Sequence, residues 1–382
     1  MKTKPKKILV VVGYQPFPTY FGGAVDVWKR IVGLHRLGHL VYLAFTEKQR
    51  PNPADLTHIK QYVQNVFFVP RNNKITDLIK RNPLQVESRN ELKTIEFTQK
   101  YDLLIAEGEF VGAILENPTL KYNKLFVRVH NDESLYFKQL RLSTSSLPKK
   151  IYYSLEIPKI KHYSQKIFRK ADRLWYISAD EFKLSEFPRK SVFLPAPVDS
   201  NFTKYQYKTS QKVLFVGSLF MPNNIYAVDW YLNNVHQQLF DYQDYELIIV
   251  GSVKNISEKE ALIAKYTLPR VSLYFNQQDL APFYTEAQLF INPMFHGSGV
   301  KIKSIDAITH GLPLVSTNIG AEGIGLTEAM FYRANTPNEF VRQIKTIFEQ
   351  NNTSVEQKVC LAQQHLEDNH YLTVLENEIN QL

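Results

Sequence analysis

Short apolar runs rich in β-branched residues recur along the chain, separated by stretches whose apolar positions return every three or four residues. The first half carries "KILVVVGY" (7–14), "LVYLAF" (40–45), "NVFFVP" (65–70), "YDLLIAE" (101–107), "KLFVRVH" (124–130) and "RLWYIS" (173–178). The second half carries "KVLFVGS" (212–218), "ELIIVGS" (246–252), "VSLYFN" (271–276), "QLFINP" (288–293) and "LPLVST" (312–317). These runs barely alternate apolar with polar positions, as expected of parallel strands covered on both faces. Strands separated by helices build right-handed βαβ units. The predicted fold class is therefore α/β, with two Rossmann-like, doubly wound parallel sheets.

The stretch "LPAPVDSNFTKYQYKTSQ" (194–211) is polar, carries two prolines and lies between the last strand of one half and the first of the next. The linker is placed there. Residues 1–198 and 199–364 then form two domains, and a C-terminal helix near 365–382 is placed to pack back on the first. A length of 382 residues suits two cores better than one. Two such domains facing across a cleft would bring ligands to the carboxyl ends of their strands.

Composition changes this picture only a little. At 44% hydrophobic and 22% charged, the chain reads as a globular protein, and its longest apolar runs are strand-sized. The start "MKTKPKK" runs directly into a strand without a small-residue cleavage site, so no signal peptide is expected. The single cysteine, Cys360, agrees with a reducing cytoplasm. The net charge of +9 suits an anionic partner: nucleic acid, an acidic membrane surface or a phosphorylated substrate.

Candidate chemistry lies at the strand ends. The Gly-x-Gly-x-x-Gly dinucleotide pattern is absent after the first strand. In its place Gly22 and Gly23 open a helix that runs to about Leu37, where a backbone can approach a ligand and helix amides can hold an anion. In the second half Gly217 and Ser218 end a strand, and Pro222 fits an early helix position. "HGSGVKIKSIDAITHG" (296–311) puts Lys301 and Lys303 into the first turn of a helix stopped by Gly311 and Pro313. A helix N-terminus is already positive, so acids are the expected company there. Two lysines in that place need a reason.

Five stretches, in order and spanning residues 16 to 324, carry a resemblance: "PFPTYFGGAVDVWKRIVGLHRLGHLVYL", "RVHNDE", "FVGSLFMPNNIYAVDWYL", "LIIVG" and "NPMFHGSGVKIKSIDAITHGLPLVSTNIGAEGI". Together they resemble the family 4 retaining glycosyltransferases of the GT-B fold, the glycosyl transferases of group 1. The resemblance implies transfer of a sugar from a nucleotide diphosphate to an acceptor, with retention at the anomeric carbon and without a metal. No cofactor is expected, the nucleotide sugar being a substrate. On this resemblance the first domain takes the acceptor and the second takes the donor.

The family signature is a Glu, seven residues and a second Glu; the matching positions here hold Ser298 and Asp306. Asp306 keeps a carboxylate for the ribose hydroxyls, whereas Ser298 has none for the donor sugar. Ser218 stands where many relatives place a diphosphate-binding Arg, and the usual Lys shortly after it is missing from "MPNN". Lys301 and Lys303, with Gly297, Gly299 and the helix amides, are the expected replacements. The competing reading makes Lys303 and Asp306 a surface ion pair, with Lys301 extended into water.

His130, at the end of "RVH", is the candidate for orienting the sugar or stabilising charge at the reaction centre; an ordinary hydrogen-bonded histidine is the alternative. Glu107 and Glu109 are candidates for acceptor hydroxyls, with a solvated loop as the alternative. The leaving phosphate is expected to accept the acceptor's proton, so that positioning and charge stabilisation suffice. Segment 149–173 holds eight Lys/Arg against two acids, with Tyr and Phe interspersed. It reads as a dock for a lipid phosphate or anionic leaflet, or as a solvated helix with an inward aromatic stripe.

The expected protein is a cytoplasmic glycosyltransferase of surface polysaccharide or glycoconjugate assembly, with peripheral membrane association as a variant. Its partners are a nucleotide sugar and a glycan or lipid-linked acceptor, not nucleic acid. A sugar-nucleotide-binding protein without catalysis competes, motivated by Ser298 and Ser218. A nucleotide-sugar epimerase fits the second-half motifs poorly, and a nucleic-acid binder rests on charge alone.

Overall fold

A computed structural model describes residues 4–382 apart from 20, 73, 145, 199–200, 298 and 350–352. It divides into two units, Met1–Pro197 with Tyr371–Leu382, and Val198–His370.

The first unit holds β1 (Lys7–Val12), β2 (Leu40–Glu47), β3 (Asn65–Pro70), β4 (Lys100–Glu107), β5 (Lys121–Val129), β6 (Arg173–Tyr176) and β7 (Ser191–Phe193). They form one sheet in the order β3-β2-β1-β4-β5-β6-β7, every pair parallel. The strand period of two explains the unbroken apolar runs. Leu9 and Val11 of β1 enter one buried cluster with Leu104, Ala106 and Val127. Ile8, Val10 and Val12 enter the other with Leu103, Ile105 and Phe126.

The second unit holds β8 (Lys212–Ser218), β9 (Glu246–Ser252), β10 (Val271–Phe275), β11 (Leu289–Asn292), β12 (Leu314–Ser316) and β13 (Tyr332–Arg333). Their order is β10-β9-β8-β11-β12-β13, again all parallel. Strand order therefore reverses between β1 and β4 in one unit and between β8 and β11 in the other. In open α/β sheets the carboxyl edge at such a reversal is where ligands bind.

The ranges expected for β3, β8 and β9 coincide with those observed. Strands β7 and β13, of three and two residues, escape the pattern because they are too short to show a period. The C-terminal helix is also shorter than expected. Residues 365–368 end the helix Thr353–Asp368 in the second unit, and only the helix Tyr371–Asn380 joins the first. Its Tyr371, Leu375 and Ile379, spaced at i, i+4 and i+8, enter the cluster of Ile8 and Val27.

Candidate functional site

In the second unit, β11 ends at Asn292 and the chain turns through a glycine-bearing loop into the helix Ile302–Thr309. Gly297 and Gly299 have φ of 118° and 78°, values that side-chain-bearing residues rarely adopt. A Cβ on Gly297 would also lie 3.0 Å from Asn223 Nδ2. Ring contacts pin the loop to the helix Pro222–Asn234: Phe295 meets Trp230 at 4.5 Å and His296 meets Tyr226 at 4.8 Å. Beneath it, buried Asn292 Nδ2 donates to Ser304 Oγ at 2.8 Å and to Gly320 O at 2.9 Å. Loop and helix start are thus held from both sides. Ser298 lies outside the described residues.

Lys301 is the N-cap of that helix and Lys303 follows in its first turn, with no acid beside them there. Lys301 does not extend into water: it is 7% exposed, its Nζ donates to Gly299 O, and Glu322 Oε2 lies 3.5 Å away. Lys303 is partly buried and reaches across to Asn224, with Nζ donating to Oδ1 at 2.7 Å and standing 4.4 Å from the Phe215 ring centre. Asn224 Nδ2 in turn donates to Ser218 O at 3.0 Å. Gly217 leaves room for this, since a Cβ there would lie 3.1 Å from the Asn224 amide. Burial first, and the neighbouring Lys301 charge second, push the Lys303 ammonium down to about 7. Asp306 is partly buried one turn beyond Lys303. The arrangement gathers two cations, two helix N-termini and close-approach glycines at the β8/β11 reversal. Such an arrangement can hold an anion.

The first unit has a different centre at its own reversal. The helix Gly22–Arg36 starts after extended Phe21, and Gly22 and Gly23 form its open first turn, free of acids. On its inward face, among Val27 and Ile31, stand Asp26 and Arg30, both wholly buried. Arg30 Nε donates to Glu107 Oε1 at 2.6 Å, and its Nη2 to Asp26 Oδ2 at 2.5 Å. Arg128 grips Asp26 through two bonds of 3.0 and 2.9 Å and donates to the carbonyls of Leu194 and Pro195. Arg30 Nη1 also donates to the hydroxyl of Tyr371, on the C-terminal helix, at 3.3 Å. Burial alone would raise both carboxyls. The guanidiniums outweigh it, holding Asp26 far below the usual range and lowering Glu107 as well.

His130, 14% exposed, sits on this cluster, with Nε2 3.2 Å from Glu107 Oε2 and Nδ1 3.6 Å from Asp26 Oδ2. Both ring nitrogens face carboxylates. Asp26, Glu107 and His130 have the donor atoms of a metal site, within 4.8 Å of one another. They do not fit one, because a divalent ion would have to displace two guanidiniums and then lie against them. Glu107, expected to meet acceptor hydroxyls, is fully buried and committed to Arg30 and His130, so its role here is to anchor.

Glu109 is different. It is buried rather than solvated and lines a cavity of about 230 Å³ with Asn131, Glu133, Ser164 and Phe168. Ser164 Oγ donates to its Oε1 at 2.8 Å. Burial first, then the Glu133 charge, raise its carboxyl to about 8. Such a carboxyl keeps its proton to higher pH than an ordinary glutamate.

Asp26, Arg30, Asn224 and Asn292 escaped the sequence reading. Asp26 and Arg30 did leave a signal, two charges four residues apart on an otherwise apolar helix face. The asparagines left none.

Residues 210–350 match the family model of glycosyl transferases group 1. A Klebsiella pneumoniae protein, described as an uncharacterized 44.6 kDa protein in the cps region, is 38% identical over 331 residues, 84% of each chain. Among solved structures, S. aureus TarM in complex with fondaparinux, alpha-GlcNAc-glycerol and UDP aligns with a TM-score of 0.68 at 10% identity, over 98% of this chain and 99% of that one. The pneumococcal O-GlcNAc transferase GtfA, in complex with UDP and GlcNAc, aligns with a TM-score of 0.64 at 13% identity, over 98% of both. At such identities the likeness is one of fold. Family model, relative and fold agree with the two parallel-sheet units: the chain belongs to the glycosyl transferases of group 1 and has the GT-B fold.

Proposed function

We propose that the protein transfers a sugar, with retention, from a nucleotide diphosphate to a glycan or lipid-linked acceptor during capsule or related surface polysaccharide assembly. The second unit is the donor domain. The observation that carries this reading is the pair Lys301 and Lys303 at one helix start, partly desolvated and facing the second helix start through Asn224. Their charge neutralises the diphosphate in the ground state and, more strongly, as it departs. Gly217, Ser218, Gly297 and Gly299 offer close backbone approach around it, and the Asp306 carboxylate accepts from the ribose hydroxyls. No metal is needed for that charge balance.

The first unit is the acceptor domain. Gly22 and Gly23 contribute helix amides to the donor, and His130 lies beside the sugar, oriented by Glu107 and Asp26. Glu109 and its cavity receive acceptor hydroxyls. The departing phosphate oxygen takes the acceptor's proton, so no protein base is required. The cps-region relative supports the capsule assignment, and the UDP complexes of the structural neighbours support a uridine nucleotide. Among the described residues no helix is long and apolar enough to cross a membrane; a cytoplasmic site of action, where nucleotide sugars are made, is part of the proposal.

A second reading, binding without transfer, draws on the inward turn of both His130 nitrogens. A panel of UDP-, GDP- and dTDP-sugars, scored for slow hydrolysis and for thermal stabilisation, separates the two. Release of nucleoside diphosphate from one donor supports transfer. Stabilisation by a donor that is never cleaved, even with acceptor lipid present, supports the binding protein.

A further inference from the structure

The helix Glu133–Ser143 and the longer helix Leu147–Lys170 pack against each other in the first unit. The longer one has two apolar faces. Ile160, Tyr163 and Ile167 are buried toward the core. On roughly the opposite side, by the 100° step of a helix, Leu147, Ile151 and Leu155 recur at i, i+4 and i+8. These three are 68%, 54% and 59% exposed, and Leu142, at the end of the preceding helix, is 77% exposed.

Single exposed leucines are ordinary on protein surfaces; an aligned stripe of them is not. The stripe is not spare core, because the inner side of the pair is already filled with aromatic rings. Phe137 meets Tyr153 at 5.6 Å and Tyr152 at 6.2 Å, and the two tyrosines meet at 5.3 Å. The basic–aromatic mixture of the sequence thus separates in space: rings pack between the helices, and aliphatic side chains point outward.

Charge sorts along the same pair. Between Ser134 and Leu155 there are four cations and no acid. Lys138, Arg141, Lys149 and Lys150 are all exposed. Farther along the long helix, Lys159 pairs with Glu156 and Lys166 with Glu116. Lys161, Arg169 and Lys170 are exposed there too, so positive charge runs along the whole helix, and beside the aliphatic stripe no acid offsets it.

We propose that residues 135–155 form a docking surface for an anionic lipid bilayer. Leu142, Leu147, Ile151 and Leu155 enter the boundary between headgroups and acyl chains, while the four cations remain among the anionic headgroups. A nucleic acid would need exposed aromatic rings on which bases stack, and here those rings are engaged with one another. A second copy of the chain, docked face to face, would set four cations against four. The proposal does not depend on catalysis, since docking needs no nucleotide sugar.

The test uses the full chain in cosedimentation with vesicles of phosphatidylcholine, alone or mixed equally with phosphatidylglycerol. The wild type sediments with the mixed vesicles and not with phosphatidylcholine alone, and raising the salt releases it. The variant Leu147→Ser/Ile151→Ser/Leu155→Ser keeps its melting temperature, because the side chains are exposed, and binds at least about tenfold more weakly. Lys149→Gln/Lys150→Gln loses about fivefold for each cation removed, about 25-fold in all. Equal binding to both vesicle types, no binding to either, or wild-type binding by both variants overturns the proposal. A dimer seen by sedimentation velocity, abolished by the serine variant and accompanied by no vesicle binding, assigns the stripe to a second copy instead.

Discussion

The two strand-order reversals of this protein handle charge in opposite ways. At β1/β4, two guanidiniums, two carboxylates and a histidine close upon one another with nearly every polar atom engaged. At β8/β11, Lys301 and Lys303 both stand at a positive helix end; one carboxylate, Glu322, lies 3.5 Å from Lys301, and burial depresses Lys303. The first arrangement is complete without a ligand. In the proposed reading, the second is completed by an anionic ligand. A buried charge cluster therefore does not by itself mark the place where substrate charge is met.

The largest effect should come from opening the closed cluster. Arg30→Met leaves Asp26 and Glu107 with half their partners in a buried place, and should destabilise the first unit by about 3–5 kcal/mol. Urea denaturation followed by tryptophan fluorescence reads this, Trp28 and Trp175 lying in that unit. A loss below about 1 kcal/mol would mean that the cluster is solvated and that the contrast with β8/β11 is false.

Next comes the open site. Lys301→Ala/Lys303→Ala should weaken nucleoside diphosphate binding by about 3 kcal/mol, the scale of two charge-assisted hydrogen bonds, with little change for the nucleoside. Removing like charges from a positive helix end should leave folding stability unchanged or slightly raised. The penalty should shrink with salt. Calorimetric titration of nucleoside, monophosphate and diphosphate decides it; equal losses for all three would show that the lysines shape the loop rather than supply charge.

Asp306→Ala should cost about 1–3 kcal/mol of donor affinity. A 2′,3′-dideoxy nucleotide should bind wild type and mutant alike. If the mutant still discriminates against the deoxy ligand as the wild type does, the ribose assignment fails.

The smallest effects are pH slopes of opposite sign. Glu109 carries a carboxyl raised in the folded state, so it favours folding at pH 4 and loses that contribution as pH rises to about 8. Glu109→Gln should remove this fall. Lys303 carries an ammonium lowered in the folded state, so the unfolded chain binds the extra proton between about pH 7 and its ordinary value of 10.5. Ligand-free stability should rise with pH across that window, and Lys303→Met should flatten the rise. Thermal melting of both variants against pH tests the signs; two slopes of the same sign would break the comparison.

Much of this molecule was written in one dimension. Unbroken apolar runs delimit β3, β8 and β9 to the residue, even though β3 is an edge strand with no fully buried residue. Gly22 and Gly23 marked a helix start, and Gly297, Gly299 and Gly311 marked a turn and a stop that do carry positive φ. Those features depend on neighbours within a few residues, and local sterics decide them. What Glu107 and His130 do could not be read the same way. Both stand at strand ends and look alike in sequence to a substrate ligand, yet Arg30, 77 positions from Glu107, claims the carboxylate. Lys303 finds Asn224 79 positions away. Aliphatic and aromatic residues mixed in 147–155 separate onto two faces only once the partner helix fixes which side is inner. Sequence alone determined the strands, the helix starts and the reserve of positive charge. Tertiary structure decided which charges are spent on one another, because partners in an ion pair are chosen by distance in space and not along the chain.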